Sequence, residues 1–253
     1  MSGALDMSLV WPAFVAGLLV SATHVPLGIQ VLRRGIVFID LAVAQIAALG
    51  VVFAHWLGYE PQGWQGQAWA LTAAIGGALL LNLTDRLWPE VQEAVIGVSF
   101  VVASNAAILL LAADPRGAEH LKDLLIGQIL WVDPSLLPLV ALVYGVILAG
   151  WLRYGERIGG VGFYLLFACA VTVSVQLVGL YLVFTTLIVP ALATRGLARR
   201  RLVIGYGVGA LGYAAGLALS LASDFPPGPL IVCLMTGLGA LLFIVNSAPR
   251  STL

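Results

Sequence analysis

Long apolar runs separated by short polar breaks fill this chain. A helix needs about 20 apolar residues to cross a hydrocarbon core of ~30 Å. The pattern therefore predicts spans over 8–30, 35–57, 68–85, 91–113, 135–152, 161–178, 179–194, 202–222 and 229–247. The sixth and seventh form one run broken only around Gly179, so eight spans is the alternative count. The seventh is short and ends at Pro190, which predicts a half-length or kinked helix buried by its neighbours.

Composition agrees. Hydrophobic residues make up 61% of the 253 and charged residues 9%, against about 25% charged in soluble domains. This excludes a soluble globular domain and a disordered chain. Twelve basic and twelve acidic residues give no net charge, so there is no nucleic-acid footprint. The expectation is an all-α polytopic membrane protein, one transmembrane domain over 1–253. The start, MSGALDMSLVWPAF, has no basic segment, so the first run is expected to stay as a span rather than be cleaved.

Charge placement orients the spans. With the N-terminus outside, Arg33, Arg34, Arg86, Arg153, Arg157, Arg195, Arg199, Arg200, Arg201 and Arg250 fall inside, ten of the twelve basic residues. Only Arg116 and Lys122 fall outside. The positive-inside rule thus predicts nine spans, N-terminus out and C-terminus in. Seven acids against those two bases leave the outer side at net −5, a vestibule that would concentrate cations. The outer segment 114–134 carries an apolar stripe of Leu121, Leu124, Leu125 and Ile129, and reads as an interfacial helix near Trp131. Trp56, Trp64 and Trp69 flank a second outer loop, 59–67, as interfacial anchors.

The chemistry is sparse. The only lysine, Lys122, is followed by Asp123, so no Walker A loop exists and the chain is not expected to hydrolyse nucleotide. GYGVGALG (205–212) lies inside a span, where its glycines let helices approach closely. No cofactor motif is present. The three histidines, His24, His55 and His120, show no metal-ligand spacing. Ser21 with His24 lacks the rest of a hydrolase site. Cys169 and Cys233 read as small apolar core residues. Polar groups inside spans matter more, because a carboxylate there is expensive. Asp40 lies one to two turns into the second span and Gln45 near its middle, about 140° apart on a helix. Gln176 and Asn105 are the other amides expected to be buried. The plain alternatives are interhelical hydrogen bonding for the amides and an ion pair with Arg33 or Arg34 for Asp40.

Several runs together resemble the membrane subunit of the zinc/manganese/iron ABC importers, the ABC-3 permease family. PLGIQVLRRGIVFIDLAVAQIAALGVVFA (26–54) is similar to the family's passage from first to second span. QEAVIGVSFVVASNAAILLL (92–111) resembles the start of its fourth span, and LLIGQILWV (124–132) an outer element. VSVQLVGLYLVFTTLIVPALATR (173–195) follows its Gln-x-Val-Gly … Pro-Ala-x-Ala pattern through Gln176, Gly179, Pro190, Ala191 and Ala193. DFPPGPLIV (224–232) resembles the turn before the last helix.

The resemblance implies a type II ABC importer permease fold in the inner (plasma) membrane. It implies a homodimer around a central path, a separate ABC ATPase and an extracytoplasmic metal-binding protein as partners, and divalent transition-metal ions of the zinc/manganese class as substrate. Asp40, Gln45 and Gln176 are then the candidate path residues. The family's second span carries an Asp and a His one turn apart, where this chain has Leu41 and Gln45. The segment that docks on the ATPase corresponds to a short connection here, RYGERIGG (153–160), with Glu156 and Arg157 as expected contacts. The basic loop 195–201 is the alternative contact. Import of a metal chelate or other small ligand by the same fold remains open, as does a channel or transporter that does not use ATP, or a membrane scaffold.

Overall fold

A computed structural model describes residues 7–61, 63–111, 129–154, 160–197, 199–223 and 225–247. Among them are nine α-helices and no strand. They are α1 (Met7–Arg34), α2 (Ile39–Trp56), α3 (Trp64–Leu87), α4 (Gln92–Leu111), α5 (Leu137–Tyr154), α6 (Gly160–Val178), α7 (Leu180–Ala193), α8 (Arg201–Ser223) and α9 (Pro227–Ser247). Eight are long and apolar enough to cross a membrane, and Leu180–Ala193 is the shorter ninth. Gly179 alone separates α6 from α7, at φ +87°, which is the left-handed conformation that ends a helix. Its N–H still bonds the Val175 carbonyl, at 2.8 Å.

The chain forms two compact units. The first comprises Met1–Arg34, Gln128–Tyr144 and Tyr181–Leu253, and the second Gly35–Gly127 and Gly145–Leu180.

In the first unit α8 packs on α1 and on α9. Lipid tails are as apolar as leucine, so close contact rather than hydrophobicity holds such helices together. The GYGVGALG glycines supply it. A methyl at Gly209 would stand 2.9 Å from the Ser21 Oγ of α1, and one at Gly205 2.8 Å from the Val25 Cγ1. Farther along the same face, Gly212 and Gly216 meet Met235 and Ile231 of α9. α7 is buried as expected, with only Tyr181 and Leu192 exposed. Its Thr185 and Thr186 hydroxyls donate to Tyr181 and Leu182 carbonyls one turn back, at 2.8 and 2.7 Å. Thr186 also hydrogen-bonds the fully buried Tyr213 hydroxyl, at 2.9 Å.

α1 runs to Arg34, past the expected end at residue 30 and through Pro26. Pro26 has no N–H, so the carbonyl four residues back, Ala22, loses its helical partner. The Tyr206 hydroxyl of α8 donates to that carbonyl at 3.2 Å. Tyr206→Phe should therefore destabilise the protein by about 1 kcal/mol, read as a lower midpoint of thermal aggregation in detergent. An unchanged midpoint would show that water satisfies the carbonyl.

In the second unit α2 is central and packs on α3, α4 and α6. Gly50 lets α3 approach to the point where a methyl would stand 2.6 Å from the Trp69 carbonyl oxygen. At one end, buried Gln92 ties three helices. Its amide donates to the Leu81 carbonyl at 2.8 Å and the Tyr164 hydroxyl at 3.2 Å, and accepts from Thr84 at 2.9 Å. Before α5, the Ser135 N–H donates to Asp133 at 2.9 Å and holds that exposed carboxyl below its usual range.

Candidate functional site

Asp40 sits in the first turn of α2 and is fully buried. Neither carboxylate oxygen has a hydrogen-bond partner among the described residues. They lie at the start of the helix, beside the backbone N–H groups of Asp40 and Leu41. Glu93, in the first turn of α4, is the neighbouring charge. It is held there by the Phe38 N–H, which donates to it at 3.2 Å. Asp40 is thus a buried carboxyl beside a second acid.

Ala44, Ala47, Ala48 and Val51 of α2 and Thr172, Val175 and Gln176 of α6 enclose a cavity of about 10 Å³, room for about one water. Residues 40, 44, 47, 48 and 51 share one helical face, since their spacings follow the 3.6-residue turn. Asp40 therefore lies one turn from the cavity, on its face of α2. Gln45 is buried at 4% exposure but points about 140° away from Asp40. Of the three candidate path residues, Gln176 borders the cavity, Asp40 lies on the face of α2 that lines it, and Gln45 lies on another face.

Gln176 is not a buried amide as expected: it is exposed and rims the cavity. Asn105 is exposed too, and its amide donates to the Val101 carbonyl at 2.8 Å. Sequence reasoning passed over Thr172. This residue is 3% exposed, lines the cavity and leaves its hydroxyl unpartnered. Its signal in the sequence is the spacing 172–176, one helical turn from Gln176.

The remaining groups stand apart. In the first unit His24 is fully buried, with Nδ1 at 3.0 Å from both Thr23 Oγ1 and the Val20 carbonyl. Ser21 faces Gly209 of α8. Cys169 is half-buried and Cys233 exposed, rather than both being core, and both are free. No three His, Cys, Asp or Glu side chains among the described residues group as a metal site. The basic ends of α1, α7 and α8 converge, with Arg201 near the like charges of Arg33 and Arg195. Trp56, Trp64 and Trp69 are exposed, as suits interfacial anchors. Glu156, Arg157 and the stripe of Leu121, Leu124 and Leu125 lie outside the described residues.

Known proteins place this arrangement. The chain is 26% identical over 251 residues to a membrane protein of Chlamydia pneumoniae, covering 90% of this chain and 85% of that one. It is 23% identical over 266 residues to a Chlamydia trachomatis serovar D protein, covering 94% and 89%. Both are described as membrane proteins of a metal transport system. The fold matches PsaBC from Streptococcus pneumoniae, solved in complex with Fab, with a TM-score of 0.75 at 19% identity, over 98% of this chain and 95% of that one. It also matches an inward-facing transporter assigned to the metal-chelate ABC type, with a TM-score of 0.66 at 16% identity, over 94% and 88%. The profile of the ABC 3 transport family matches residues 6–154 and 157–247. With nearly the whole chain covered, the protein belongs to the ABC 3 transport family and is a multi-pass membrane permease.

Proposed function

We propose that the protein is the permease subunit of an ABC importer for divalent transition-metal ions of the zinc/manganese class. A bare, fully buried carboxylate in a membrane helix, Asp40, is the observation that carries the reading. Such a charge is costly and is kept where a cation passes. The two chlamydial relatives, each described as part of a metal transport system, support a metal as the substrate. Two copies of the chain surround the path. The N-terminus is outside and the C-terminus cytoplasmic. A separate ATPase drives alternating access, gripping the connection with Glu156 and Arg157, and an extracytoplasmic binding protein delivers the ion.

A second reading, import of a metal chelate, is favoured by the alanine-lined cavity, which offers little to strip a bound ion from its ligands. One experiment separates them. Cells with and without the gene are grown in limiting metal, and their manganese, zinc and iron content is measured after adding free ion or chelated ion. The importer reading expects a several-fold deficit for free zinc or manganese in cells lacking the protein. A deficit only with chelate selects the second reading. No deficit in either, or no ATPase subunit co-purifying with the chain, removes both.

A further inference from the structure

We propose that two copies of the chain meet along the exposed face of α4, where Asn105 of each hydrogen-bonds Asn105 of the other across a two-fold axis and closes the path between them. The inference rests on the reading in which two copies surround the path. It adds the helix and the side chain that meet there.

The two sides of α4 differ. Ile96, Ala103, Ala107 and Leu111 are buried, and Ala107 and Leu111 cluster with Val52 of α2. The opposite side is open, with Val98, Val101, Val102, Ile108 and Leu109 exposed. Asn105 is the one polar side chain among the exposed residues of this helix. It lies six residues before the end of α4, about 9 Å along the axis, inside a span that runs Pro89–Leu111. One N–H of its amide donates to the Val101 carbonyl at 2.8 Å. The other N–H and the Oδ1 have no partner among the described residues. Lipid tails can satisfy neither, and an amide left so in hydrocarbon is costly. The valines around it are at home in lipid; the amide is not. At the depth of Asn105 this face is built to meet protein.

A second copy is the partner that an asparagine selects. A carboxamide presents donor and acceptor side by side, so it is complementary to itself. A two-fold axis sets a residue against its own counterpart, and two such amides exchange a pair of N–H···O bonds. A single asparagine fixes the register of paired helices in coiled coils in the same way. Val98 and Val101 lie on the same face as Asn105 and give the pair an apolar surround. The paired amides carry no charge, so they can part and re-form. A cation passing between the copies must part them, and the pair shuts the path when no ion is crossing.

Cross-linking in native membranes tests this. The full-length chain with Cys169→Ser and Cys233→Ser receives one cysteine by Asn105→Cys or, as a control for random collision, by Leu142→Cys at an exposed position of α5. Both are treated with a short bis-methanethiosulfonate. The expected product is a homodimer through position 105, at least about ten-fold more abundant than through 142, since a specific interface raises the effective concentration of the two thiols. Metal uptake by the Asn105→Cys cells should fall on cross-linking and return on reduction. Asn105→Leu should weaken self-association in detergent about five-fold, with the thermal midpoint of the separated chains unchanged. Equal products at the two positions, a cross-link from 105 to a different protein, or undiminished self-association of Asn105→Leu would each overturn the pairing. Uptake that persists with 105 cross-linked would overturn the closing of the path. Wild-type uptake is scored in parallel: its absence removes the importer reading, whereas its presence with the wrong cross-links removes only this inference.

Discussion

Asp40→Asn is expected to cut metal uptake by at least about ten-fold while leaving the permease as stable as before, or more so. The two effects have opposite signs because the carboxylate is costly to the fold. A charge at mid-helix costs roughly 2.5–3.5 kcal/mol to insert. Asp40 is fully buried at the start of α2, and neither of its oxygens has a hydrogen-bond partner among the described residues. The amide carries no charge to bury, so stability rises by about 1 kcal/mol or stays level. It also cannot supply the charge that draws a cation through a low-dielectric segment. The measurement pairs uptake of labelled manganese with thermal stability of the purified chain in detergent. Uptake and folded yield falling together would mean that Asp40 serves the fold. Unchanged uptake would take it off the path.

Gly28→Val should abolish folded protein. A Cβ at Gly28 would overlap the Leu187 carbonyl of α7 and stand 3.3 Å from the Ala191 Cβ. The obstacle is backbone, which cannot rotate aside as a side chain can. Relief requires α1 and α7 to separate, which forfeits the dispersion contacts that hold membrane helices together. A cost above about 3 kcal/mol follows, at the upper end of overpacking penalties. Gly207→Ala is the control. It lies on α8 with nothing within 4 Å of the added methyl, and alanine favours a helix by about 1 kcal/mol over glycine. Heating each variant and measuring the monodisperse fraction gives the comparison. Equal survival of the two would show that α1 and α7 are not closely packed in the membrane.

The spans were readable because twenty-residue apolar runs broken by arginines and prolines have one reading in a bilayer. The short α7 was readable from Gly179 and Pro190 for the same reason. The span over 8–30 already carried α1 through Pro26, but the partner of the freed Ala22 carbonyl was not readable, since it is a tyrosine 184 residues away in sequence. The faces of the helices were harder still. In a soluble helix polarity marks the outer side, but a membrane helix is apolar all round, so its neighbours decide what is covered. Gln176 and Asn105 therefore read as buried, although both are exposed. The Asp/His positions of the same family pointed to Gln45, which lies on another face of α2 than Asp40. The spacing of Asp40 with Ala44 and Ala47 was visible in the sequence, but it gains meaning only with α6 alongside.

The fourteen residues of α7 rise about 21 Å, some 9 Å less than a typical hydrocarbon core. Walled in by protein along almost its whole length, it has no lipid to stretch or compress against. Bilayers of thin or thick lipids will tilt the helices at the periphery and leave this one at its own depth. The Thr186–Tyr213 bond it makes is thereby insulated from the acyl-chain length of the host membrane.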